Sequence, residues 1–141
     1  TGKVDEASVL SVYNLKSTGI HKKGAGKETE TDKIRRVDLV KVCFTLGENS
    51  IIEAGKKTLY VRIANPDGEI LVKGRGEEYS FNYNDEIIQY SIMEEANYDN
   101  TAIDMCIRWH KRDTQELKEG LYHVDVFEGN NNIGHTTFVL R

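Results

Sequence analysis

Four histidines, His21, His110, His123 and His135, are the general-base candidates of this chain. Imidazole is the side chain whose ordinary pKa lies nearest neutrality. A hydrolase would also need a nucleophile held by such a base, and no Gly-x-Ser-x-Gly turn is present. His123 and Asp125 share one face of a strand, and His135 follows beyond an Asn/Gly loop. That trio is the nearest approach to a metal set, but the register between the two strands is open, and exposed strand residues are expected. Glu94, Glu95, Asp99 and Asp104, with Asn97 and Asn100, offer oxygen donors of the kind of which Ca2+ takes about six to eight. Their spacing is not that of an EF-hand, so an acidic solvated turn is expected. Paired carboxylates for glycoside hydrolysis need a cleft that spaces them ~5–10 Å apart, and regular strands offer little of one. The reading is therefore a non-enzyme with no catalytic residues, no metal and no cofactor.

Charge points elsewhere. The net charge of −4 argues against broad binding to nucleic acid or anionic lipid. Residues 16–36 nevertheless hold seven basic side chains, Lys16, Lys22, Lys23, Lys27, Lys33, Arg35 and Arg36, against only Glu28, Glu30 and Asp32. The bland reading of such a run is a solvated hairpin. The functional one is a contact surface centred on Lys22, Lys23 and Lys27, which can approach an anionic partner at small desolvation cost. Cys43 and Cys106 form a cross-strand disulfide if their strands are neighbours. Otherwise they are inert thiols packed between a sheet and a loop, which is the expectation. Of the aromatic side chains, Tyr60 lies opposite the apolar face of its strand and is expected to be exposed, as a sugar-stacking platform requires. Trp109 shares a face with Ile103, Met105 and Ile107 and belongs in a core. Of Tyr79, Phe81 and Tyr83, two are expected in the core.

The elements that must position these residues follow a period of two. Val40, Val42, Phe44 and Leu46 alternate with polar neighbours, and so do Leu59, Val61 and Ile63; Ile88, Tyr90 and Ile92; Ile103 to Trp109; and Tyr122, Val124 and Val126. Each run has one greasy and one wet face, as in antiparallel strands over a core. Asn65-Pro66-Asp67-Gly68 and Gly129-Asn130 are turn chemistry, Gly24-Ala25-Gly26 reads as a loop tip, and Gly120 opens the penultimate strand. A first strand near 7–16 fills both faces and is either buried on both sides or bent between two sheets. Residues 94–100 or 111–118 would hold the one helical exception. With 141 residues and 16.0 kDa this is one domain, 1–141, all-β, read as an antiparallel sandwich of seven to nine strands with a barrel as the rival. No stretch reaches the ~18 apolar residues of a membrane helix.

The final hairpin, Gly120-Leu121-Tyr122-His123-Val124-Asp125-Val126-Phe127 and then Ile133 to Leu140, resembles the last two strands of an immunoglobulin-like sandwich. A wider resemblance rests on Val42-Cys43-Phe44-Thr45-Leu46-Gly47-Glu48-Asn49, on Leu59-Tyr60-Val61-Arg62-Ile63-Ala64-Asn65-Pro66-Asp67-Gly68, and on Met105-Cys106-Ile107-Arg108-Trp109. In these the chain is similar to the C-terminal β domain of a group of uncharacterised bacterial proteins, in which a membrane helix and a coiled coil precede it. Some members carry a chromosome-partitioning label. The ATP-binding loop of partitioning ATPases is missing here, because Gly24-Ala25-Gly26-Lys27 lacks its spacing.

The resemblance implies a module held at the cell envelope, on the periplasmic side of the inner membrane, multimerised by a coiled coil. The start at Thr1 fits a chain whose anchor lies upstream. The expected function is non-catalytic binding or assembly through loops or an edge strand, with a protein or an anionic envelope polymer as partner, no nucleic acid, and membrane contact only through that anchor. The alternative is a carbohydrate-binding sandwich using exposed Tyr.

Overall fold

Wherever a turn residue lets the chain reverse, the period-two runs become strands. The computed structural model describes residues 9–72, 77–112 and 115–141. Its elements are β1 (Val12–Lys22), β2 (Glu28–Glu30), β3 (Leu39–Leu46), β4 (Gly55–Ala64), β5 (Ser80–Tyr83), β6 (Glu86–Gln89), β7 (Ile92–Tyr98), β8 (Ile103–His110), β9 (Gly120–Glu128) and β10 (Asn131–Leu140). One sheet has the order β2-β1-β3-β8, the other β10-β9-β4-β7, and every pairing is antiparallel. Eight strands thus make the expected immunoglobulin-like sandwich, and β5 and β6 form a separate hairpin.

The sheets meet on Val40, Val42, Phe44 and Leu46 of β3, Leu59, Val61 and Ile63 of β4, Ile107 and Trp109 of β8, and Tyr122, Val124 and Val126 of β9. Each fully buried Leu or Ile contributes about 1.5–3 kcal/mol by leaving water. Two buried tyrosines bring their own partners. Tyr98 Oη donates to the Gly47 carbonyl at 2.7 Å. Tyr122 Oη donates to the Lys118 carbonyl at 2.7 Å and accepts from the Lys118 amide at 2.8 Å, the corner found at this strand in immunoglobulin-like domains.

The first strand is bent, and it runs 12–22 rather than 7–16, of which residues 7 and 8 lie outside the described residues. A bulge at Asn14, with φ 56°, inserts one residue into the alternation. Val12 and Leu15 therefore both turn inward and pack on the core, against the neighbouring edge of β10. Gly134 gives them room, since a Cβ there would lie 2.9 Å from the Leu15 side chain and push its end aside.

Three sequence expectations change. Residues 94–100 are not helical but fall largely in β7, and among the described residues of 111–118 no helix forms. The Ile88, Tyr90, Ile92 run is not one strand. It breaks at Ser91, whose Oγ accepts the Ile63 amide at 2.8 Å and whose own amide binds the Val61 carbonyl, so the chain leaves the β5–β6 hairpin and joins the second sheet there. Cys43 and Cys106 are not packed thiols but a disulfide, because β3 and β8 are neighbours and their register sets the two residues opposite each other, with Cα atoms 4.0 Å apart. The bond lies on the outer face of the first sheet.

Beside it the short β2 is tied down by charge. Glu28 accepts from Arg108 Nε at 2.9 Å and from Lys41 Nζ at 3.3 Å. The Arg108 hydrogen bond outweighs the cost of desolvation and, with Lys41, lowers the Glu28 pKa from 4.5 to about 2. A carboxyl depressed in the folded state stabilises fully above its unfolded value, and the gain is lost as pH falls towards the folded one. The stability difference between wild type and Glu28→Gln is therefore expected to be largest at pH 7 and to shrink between pH 4.5 and 2, read by urea unfolding at each pH. The disulfide closes a loop of sequence separation 63 outside the core. Its removal in the C43S/C106S double variant is expected to cost about 2–4 kcal/mol in urea with the near-UV signal of Trp109 retained; equal stability of the two proteins contradicts the crosslink.

Candidate functional site

The chain passes from β1 to β2 through Gly24–Gly26, where Ala25 and Gly26 adopt φ of 66° and 75° and the Lys23 amide closes the turn on the Lys27 carbonyl at 2.8 Å. Asp38, just before β3, anchors this turn: its Oδ2 accepts the Lys22 amide at 2.7 Å and lies 3.0 Å from His21 Nδ1. Lys22, Lys23 and Lys27 are all exposed, as the sequence suggested. Among the described residues none of the three ammonium groups makes an ion pair.

From β2 the chain crosses this end of the sandwich to reach β3. The Thr31 amide binds the Gly19 carbonyl at 2.9 Å, and Gly19 has no room for a side chain, since a Cβ would stand 2.6 Å from the Thr31 carbonyl oxygen. Ile34 and Val37 pack on the core below the crossing. Arg141, which follows β10, closes the crossing from the other sheet: the Ile34 amide binds the Arg141 carbonyl at 2.9 Å, and the Arg141 amide binds the Asp32 carbonyl at 2.7 Å. The Arg141 guanidinium holds Asp32 Oδ2 from Nε at 2.9 Å, and this hydrogen bond keeps the Asp32 carboxyl below its ordinary pKa against desolvation.

The result is an open depression of about 720 Å3 lined by Lys33, Arg35, Arg36 and Arg141. Its four lining side chains are all cationic. Arg35-Arg36 and Lys33 stood out in the sequence as part of a basic run. Arg141 did not, because it lies 109 residues from the Asp32 it binds.

The outer face of the second sheet carries a different group. The register sets Asp125 opposite His135 on β10 and opposite Arg62 on β4. His135 Nδ1 lies 2.8 Å from Asp125 Oδ1, Asn132 Nδ2 donates to the same oxygen at 3.1 Å, and the His123 and His135 rings stack with centroids 5.5 Å apart. Arg62 Nε donates to the Gln89 carbonyl at 2.7 Å, and burial lowers its pKa against the pull of Asp125. The sheet thus gathers the two histidines and the aspartate, but the aspartate is spent on His135 and Asn132. Among the described residues no group of three or more His, Cys, Asp or Glu side chains could hold a metal ion. The acids near 94–104 are likewise separated: Asp99 binds Thr101, Asp104 accepts from Thr45 Oγ1, and Glu95 faces Lys56. His21 and His110 stand apart from the sheet pair.

Tyr60 is the clear departure. It does point away from the core, but Phe81 of the β5–β6 hairpin stacks on it with centroids 4.2 Å apart and planes 4° from parallel. Tyr90 tilts against it at 5.3 Å, and Phe127 meets both Phe81 and Tyr83. Tyr60 is half-buried and lacks the open ring face expected of it. Phe81 is the buried member of Tyr79, Phe81 and Tyr83, and its place is this outer cluster rather than the core between the sheets.

Fold and site together define an immunoglobulin-like sandwich with a cationic loop end. The chain belongs to the family described as a domain of unknown function, DUF8428, whose model matches residues 13–141. No curated protein matches it. Among solved structures it is similar to the Pseudomonas fluorescens alkylpurine DNA glycosylase AlkC, bound to DNA containing an abasic site analogue, with 14% identity and a TM-score of 0.48. That likeness covers 94% of this chain and 30% of the glycosylase chain, so the present chain spans under a third of that protein.

The aromatic cluster yields its own test. Phe81→Ala is expected to cost about 3 kcal/mol in urea, with amide shifts confined to the β5–β6 hairpin and the outward residues of β4 and β9. Shifts spreading through β3 and β8 would show that the hairpin is part of the main core.

Proposed function

We propose that this chain is a non-catalytic binding and assembly module that recognises an anionic partner through the loops at its basic end. One observation carries the reading: Lys22, Lys23, Lys27, Lys33, Arg35 and Arg36 gather at one end of a molecule of net charge −4, and among the described residues none of them makes an ion pair. Unpaired exposed cations are free to meet a partner's anions without first breaking a bond, and they steer its approach. The loops carry this reading rather than an edge strand, because the unpaired charge lies on them.

An envelope setting, on the periplasmic side of the inner membrane, follows the resemblance to anchored coiled-coil proteins. The Cys43–Cys106 disulfide supports it, since such bonds persist in oxidising compartments. The partner is then a protein or an anionic polymer of the envelope. The carbohydrate reading through Tyr60 loses its support, because Phe81 covers that ring.

The triple variant K22E/K23E/K27E is expected to lose partners captured from envelope extracts while its Tm stays within about 2 °C of wild type, as exposed substitutions do. Capture of the same proteins or polymers by both forms would overturn the reading.

A further inference from the structure

We propose that the depression lined by Lys33, Arg35, Arg36 and Arg141 is a phosphate site, and that its ligand is a sugar phosphate whose uncharged body lies in the adjoining pocket over Thr18, Glu30 and Thr31. The inference rests on the reading of this end as the recognition surface and names the chemistry it takes.

The first support is that main-chain hydrogen bonds hold the segment carrying these cations around one depression. The Arg36 amide closes on the Lys33 carbonyl at 2.9 Å, and the Arg141 main chain brackets the segment through Ile34 and Asp32. Like charges gathered around one depression repel, and the fold pins their main chains there without supplying enough acid: Asp32, the carboxylate that adjoins them, is already held by Arg141. Guanidinium forks pair two-to-two with phosphate oxygens, and Arg35 and Arg36 are free to do so, whereas the Arg141 fork is spent on Asp32.

The second support is what lies beside the depression. A pocket of about 460 Å3 adjoins it through Lys33, with Thr18, Glu30, Thr31 and Asp32 along one side and Phe138 and Val139 along the other. Hydroxyls and carboxylates accept from sugar hydroxyls, and the apolar side suits the C–H face of a ring. The two carboxylates also discriminate. A ligand charged along its whole length, such as an acidic peptide, meets no free cation beyond Lys33 among the described residues there, because Glu30 is paired with Lys16 at 3.3 Å and Asp32 with Arg141. A ligand with its charge at one end and a hydroxylated body at the other is opposed nowhere. The phosphate has two sources, a free sugar phosphate or a phosphodiester-linked glycan, and both present the same group to the arginines.

The test is titration of the 15N-labelled full chain with glucose 1-phosphate, glucose, inorganic phosphate, polyglutamate and a phosphomannan. Glucose 1-phosphate is expected to shift the amides of residues 30–36 saturably and to bind at least tenfold more tightly than glucose or inorganic phosphate. Arg35→Glu with Arg36→Glu is expected to weaken it at least tenfold, and Thr18→Ala, which lines the adjoining pocket and not the depression, to weaken glucose 1-phosphate but not inorganic phosphate. Phosphomannan tighter than glucose 1-phosphate assigns the glycan source, and the reverse assigns the free one. Equal binding of glucose 1-phosphate and inorganic phosphate, tighter binding of polyglutamate, or no shift in residues 30–36 each overturns the proposal. No sugar-phosphate shift in the wild-type chain, with partner capture still lost in K22E/K23E/K27E, fails this proposal alone and leaves the partner reading standing.

Discussion

Between the two sheets lies one dry layer, formed where Val40, Val42, Phe44 and Leu46 of β3 and Ile107 and Trp109 of β8 face Leu59, Val61, Ile63, Val124 and Val126 of β4 and β9. A strand has a side-chain period of two, so a slip of one residue would turn that whole set towards water. The layer therefore settles the outward residues as firmly as the inward ones. Cys43 can meet Cys106, Lys41 can stand beside Arg108, and Asp125 can lie between His135 and Arg62 only because the alternate positions are committed to the core.

Both outer faces are then partly covered by short additions. Glu28 of β2 reaches over the first sheet to Lys41 and Arg108, where Ile20 and Leu39 are buried outside the main core. The β5–β6 hairpin lays Phe81 over Tyr60 and Phe127 on the second. These additions take up part of the broad sheet surfaces that a flat recognition site would use.

The loop end is left different in kind. Its acids are consumed in holding backbone and neighbours in place: Asp38 takes the Lys22 amide and faces His21, and Asp32 takes the Arg141 guanidinium. Each carboxylate so used is one fewer to neutralise Lys22, Lys23, Lys27, Lys33, Arg35 and Arg36. The excess positive charge at this end is thus a consequence of how the crossing from β2 to β3 is fastened, on a chain that is acidic as a whole.

The alternation of apolar residues along β3, β4, β8 and β9, and the turn residues at Asn65–Gly68 and Gly129–Asn130, were enough to read the sandwich and the basic turn at Lys22–Lys27 from the order of amino acids. They act locally, through which side of a strand a residue occupies and where the chain can reverse. Three things were settled only in three dimensions. Cys43 faces Cys106 because β3 and β8 are neighbours, Arg141 meets Asp32 because the end of β10 returns to the crossing, and Tyr60 is covered because a hairpin folds back over its sheet. A one-dimensional pattern states which face of a strand is wet, but not which strand lies beside it or what packs above it. Those depend on contacts between segments far apart in the chain.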